Sequence, residues 1–214
     1  MKKRILITTF VAVSIMGASV SSYAFGLGDL TGGNNSKGGG TDLSATQTQT
    51  VNDYVAASTL LLSANGKMSE ALGLKEQVAK YKETADSLTA GTSEDSNKKA
   101  DEALSNGTQA ISDAMKNKPQ LSAESKAKFT AGLVDLAAGT VGYAKVGKDV
   151  SSAQSAISSA SPMQLMKLGE LVYLAKSAPA SIKSYSSALS SAISFAKENK
   201  IEVPKSATDA LGSM

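Results

Sequence analysis

Apolar residues recur along most of the chain at alternating steps of three and four, the spacing that lines one face of an α-helix. Between Asp42 and Asn65 the stripe is Val51, Tyr54, Val55, Ser58, Leu61 and Leu62, and the pair Asn65-Gly66 predicts its stop. A second helix is predicted from about Met68 to Leu88, on Ala71, Leu74, Val78, Tyr81, Ala85 and Leu88, before Gly91 breaks the chain. The third starts near Ser93, whose hydroxyl suits an N-cap with Glu94 and Asp95 beside it, and its seam is Ala100, Leu104, Gly107, Ile111 and Met115. Pro119 closes that segment.

Ser122 opens a long fourth helix, carried to about Ser159, whose hydroxyl-rich second half is expected to fray or bend. Ser161-Pro162-Met163-Gln164 has the make-up of a helix start: a capping serine, proline at the first helical position and a glutamine able to reach back. The fifth helix, Pro162 to about Ser177, is apolar on nearly every side, which predicts a place inside a bundle or against lipid. Pro179 is read as the restart into a sixth helix bearing Ile182, Tyr185, Leu189, Ile193 and Ala196, closed by Val203-Pro204. No hairpin signals or long alternating runs predict a sheet. The fold class is therefore all-α: an antiparallel helical bundle of about six helices over residues 42–203, with 204–214 as a weak C-terminal tail.

The N-terminal 41 residues do not follow the helical pattern. Lys2, Lys3 and Arg4 precede an uncharged, largely apolar run from Ile5 to Ala18, and small residues flank Tyr23 at Ser22 and Ala24. This is the layout of a secretory signal over residues 1–24. Fourteen helical residues rise about 21 Å against a hydrocarbon core of about 30 Å, which disfavours a membrane anchor. Residues 25–41 join a short apolar head, FGLGDL, to TGGNNSKGGGT, a composition expected to form a flexible tether. The expected location is periplasmic or extracellular, after cleavage near Ala24.

Charge changes the picture once that signal is set aside. It holds three of the 22 basic residues and none of the 19 acidic ones, so the remainder is neutral and contains no arginine. A basic nucleic-acid footprint and bidentate phosphate grips are both lacking. Histidine, cysteine and tryptophan are absent throughout. Imidazole or thiolate metal sites, His-based triads and cysteine nucleophiles are thereby excluded, and no cofactor or metal site is expected.

GYAKVGKD, residues 142–149, spells most of a phosphate loop, Gly142-x-x-x-x-Gly147-Lys148. Such a loop needs a preceding strand and a hydroxyl after the lysine. Here the preceding residues have helical spacing and Asp149 occupies the hydroxyl's place, so no nucleotide partner is expected. Gly132, Ala138, Gly139 and Gly142 instead predict a bare groove on the fourth helix. Gly169, Leu168 and Val172 of the fifth helix are the expected opposite wall, and these seven residues form the candidate helix-packing or ligand groove.

Other chemistry is thin. Asp95, Asn97, Asp101 and Glu102 resemble part of a calcium loop but lack its central glycine and twelfth-position acid, and they read as a solvated helix start. Ser96-x-x-Lys99 lacks the Lys-Thr-Gly companion of penicillin-recognising enzymes. Tyr54, Tyr81, Tyr143, Tyr173 and Tyr185 fall one to a helix and read first as core-edge residues, with a ligand-cavity lining or a lipid interface as the alternative. Together these features predict an exported non-enzymatic bundle that binds an apolar small molecule, a lipid or a protein partner in the cell envelope. The rivals are a membrane-active protein and a surface or matrix scaffold. Against the former, only nine residues, Leu136 to Ala144, separate charges on the fourth helix, too few to span a bilayer.

Overall fold

Seven helices and no strand are found among the described residues: α1 (Leu43–Ala71), α2 (Lys75–Ala90), α3 (Glu94–Lys116), α4 (Ala123–Ser159), α5 (Pro162–Lys167), α6 (Gly169–Glu198) and α7 (Lys205–Gly212). They come from a computed structural model that describes residues 43–117 and 119–213. The expected signal and tether lie outside these residues.

Several boundaries follow local chemistry. The Ser93 hydroxyl accepts from the Ser96 N–H at 3.1 Å and opens α3, and Ser122 does the same for α4 through the Ser125 N–H at 3.1 Å. Ser161 and Gln164 form a reciprocal capping box at the start of α5. The hydroxyl-rich end of α4 stays helical to Ser159. There Ser151, Ser152, Ser158 and Ser159 donate to carbonyls four residues back, which keeps their hydroxyls inside the helical pattern.

Other boundaries depart from expectation. Asn65-Gly66 does not end α1. Asn65 is buried and its Nδ2 donates to the Leu104 carbonyl at 3.3 Å, and the residues beyond it, Met68, Ser69 and Ala71, are buried as well. Burial of this turn outweighs the roughly 1 kcal/mol that an interior glycine costs. The helix stops at Gly73, whose φ of 83° permits the left-handed turn. The Leu74 N–H then bonds the Ser69 carbonyl at 2.7 Å and the Gly73 N–H bonds Glu70 at 3.2 Å, a Schellman closure.

The fifth helix also divides elsewhere. It breaks at Leu168 (φ −106°, ψ 23°), and α6 continues through Pro179. Pro179 is exposed, so water can reach the carbonyl that lacks its amide partner, while buried Leu174 and Ala178 before it and Tyr185 and Leu189 after it hold one helix together. The expected central position of the fifth helix is corrected for its first half alone, since Leu168, Leu171 and Leu174 of its second half are buried. No residue of α5 is buried, and Met163 and Met166 are 67 % and 80 % exposed. The expected tail is α7, which buries Ala207 and Ala210.

α1 and α4 form the central contact. Lys145 pairs with Asp53 at 2.7 Å, Asp135 meets Ser63 and Lys67 at 2.6 Å, and Lys128 meets Glu70 at 3.1 Å. Numbers thus fall along one helix as they rise along the other.

Candidate functional site

The seven residues of the expected groove do not come together. A Cβ on Gly132 would meet Met68 Cγ at 2.7 Å, one on Gly139 would meet Leu61 Cγ at 2.8 Å, and one on Gly142 would meet Ala57 Cβ at 3.0 Å. The wall opposite these glycines is therefore α1. A Cβ on Gly169 would instead meet Glu94 Oε2 of α3, at 3.6 Å. Leu168 is buried, Val172 half-buried, and Ala138 exposed on the far side of α4. The reason is register: α1 lies along the glycine face with Ala57, Ala64 and Leu61 filling it. GYAKVGKD lies wholly within α4, with Gly147 against Ile182 of α6.

Four of the five tyrosines do converge, on a residue that the sequence placed in solvent. Asp101 of α3 turns inward, and its Oδ1 accepts from the hydroxyls of Tyr54 (α1) at 3.0 Å and Tyr143 (α4) at 3.3 Å. Its Oδ2 accepts from Tyr173 (α6) at 2.7 Å. Tyr185 packs edge-on to Tyr143, with ring centroids 5.1 Å apart, and Tyr143 packs edge-on to Tyr54 at 5.7 Å. Tyr81 stays apart, bonded to Gln77. One carboxylate thus ties four helices together.

Burial pushes the Asp101 carboxyl above the usual range, and the donors Tyr173, Tyr54 and Tyr143 pull it only part of the way back. Burial, followed by the facing Asp101 charge, also raises Tyr54, Tyr143 and Tyr185. For Tyr173, burial is again the main cause, joined by its bond to Asp101. These phenols therefore stay protonated and act as donors rather than nucleophiles. Tyr54 also faces the Asn97 carbonyl at 3.0 Å, although a phenol has one proton to give. That single proton is shared between the Asn97 carbonyl and Asp101 Oδ1. Asn97 itself is fully buried, where a solvated helix start was expected.

A second feature is an open groove of about 200 Å³ between α3 and α6. Met68 and Leu136 line it from α1 and α4, and Ile111, Met115, Ala188 and Ala192 add further apolar surface. Hydroxyls of Thr108, Ser112, Ser184, Ser187 and Ser191 share the lining. Met68 and Met115 supply deformable, polarisable surface. Sequence reading missed this groove because its walls come from helices far apart in the chain. The small residues Ser184, Ser187, Ala188, Ser191 and Ala192, recurring at steps of three and four along one helix face, were the one local trace of it. No protein-family model, curated protein or solved structure matches the chain.

Proposed function

We propose that this is an exported, non-enzymatic helical protein, an antiparallel bundle, that binds a small amphiphile in the groove between α3 and α6. The observation carrying this reading is the lining itself: methionine and aliphatic carbon together with serine and threonine hydroxyls, in a volume of about 200 Å³. Apolar pockets with a few placed polar groups are the usual form of a small-molecule site. The basic signal-like start supports export, and the phenols that donate to Asp101 support a structural use of that polar cluster.

Decanoate is a suitable probe, followed by amide chemical shifts. Saturable shifts at Ile111, Ser112, Ala188 and Ser191 are expected. They should be lost in Ala188→Phe, which fills the groove from a half-buried position. Absence of saturation, or equal response in the variant, overturns the reading. Less supports the membrane-active alternative, because no helix among the described residues is long and apolar enough to cross a bilayer.

A further inference from the structure

The outer face of α4 has an unusual composition. Between Ser125 and Ala144 its exposed positions are Ala127, Ala131, Val134, Ala138 and Val141, every one of them apolar. A solvent-facing helical stripe is ordinarily polar. Val134 and Val141 are 42 % and 44 % exposed. On α1, Leu60, next to the Leu61 that fills Gly139, is a further large apolar side chain left in solvent.

The spacing along this stripe alternates four and three, so the residues keep a single line over about four turns and fit another helix at a shallow angle. The ends of the line are charged: Glu124 lies one step before Ala127, and Lys145 and Lys148 follow Val141. Residue numbers placed symmetrically about 136 are complementary. Ala131 falls opposite Val141, Val134 opposite Ala138, and Glu124 opposite Lys148. A second copy laid antiparallel thus sets a large side chain against a small one in each central layer, Ala127 beside Lys145, which is already paired with Asp53 of its own chain, and an acid against a base in each outermost layer. A parallel copy sets valine on valine, glutamate on glutamate and lysine on lysine.

We propose that this face is the two-fold interface of a homodimer, in which α4 of one copy packs antiparallel on α4 of a second around residue 136. Such an interface is isologous, each patch meeting itself. Charge complementarity at its ends selects the antiparallel register. The contact is a single helix pair with small side chains, at the low end of interface sizes, so the dimer is weak and concentration-dependent.

Sedimentation equilibrium of the protein over a broad concentration range tests this. The parent is expected to show a reversible monomer–dimer equilibrium. Val134→Glu, at an exposed position that leaves the fold intact by circular dichroism, should weaken it by about tenfold or more. Glu124→Lys should weaken it a few-fold by facing Lys148 of the partner subunit, and the double swap Glu124→Lys with Lys148→Glu should restore it. A monomer at every concentration overturns the proposal, as does a dimer indifferent to Val134→Glu or a double swap that fails to recover. A monomer that instead co-sediments with phosphatidylcholine vesicles assigns the face to a membrane and also overturns it.

Discussion

Replacing Gly139 with alanine isolates the tight approach of α1 and α4. The new methyl would lie 2.8 Å from Leu61 Cγ, 2.9 Å from its Cδ2 and 3.1 Å from the Ala57 carbonyl oxygen. Carbon atoms prefer separations of about 3.5–4.0 Å. Leu61 is 1 % exposed and has nowhere to turn, and Ala57 presents backbone, so the helices themselves must part by about 0.7 Å. Overpacking of this kind costs about 1–3 kcal/mol. Against it stands the gain of about 1 kcal/mol for removing a glycine from a helix interior. Gly66, inside α1 with nothing within 4 Å of an added methyl, supplies the control, because there only the gain applies.

Gly139→Ala should therefore be less stable than Gly66→Ala by about 1–3 kcal/mol. Each kcal/mol corresponds to about 2–4 °C in Tm for a domain of this size. Urea denaturation followed by far-UV circular dichroism measures the difference. Adding Leu61→Ala to Gly139→Ala should show favourable coupling in a double-mutant cycle, since the methyl then occupies vacated space. Equal stability of the two alanine variants, or no coupling to Leu61, refutes the close-packed seam.

Two further outcomes follow from single residues. Asp101 has a raised folded-state pKa, so between the ordinary carboxylate value of about 3.9 and that raised value the folded state holds more protons, and stability falls as pH rises through the window. The stability of Asp101→Asn relative to the parent should consequently climb with pH across this window and then level off, as read by denaturant titrations at stepped pH; a decline instead means that the three phenol donors outweigh burial. Lys200 closes α6 in the left-handed region at φ 54°, with the Ile201 N–H bonding the Ala196 carbonyl at 2.8 Å. Lys200→Gly retains the closure without the side-chain penalty and should add about 1 kcal/mol, or about 2–4 °C in Tm by calorimetry.

Much of the local structure was legible. The starts at Ser93, Ser122 and Ser161, the end at Ser159 and the five apolar seam residues of α3 depend on atoms three or four residues apart, which a sequence displays directly. The site was not. Asp101 reads as one more charge near a helix start, yet its partners lie 47, 42 and 72 residues away on three other helices. A trace did exist: Asp101 continues the α3 seam one turn ahead of Leu104, an odd place for a charge unless partners await it.

Helical periodicity and capping chemistry, whose energies arise within one turn, determined the all-α class and most of the helix starts. Only the tertiary structure decided whether α1 ran past Asn65-Gly66, whether Pro179 broke a helix, which helix covered Gly139 and where Asp101 pointed. At the two sequence breaks, burying the residues on either side offset a local penalty of about 1 kcal/mol at glycine and about 3 at proline. The other two depended on the register of helices remote in sequence, which no local pattern encodes.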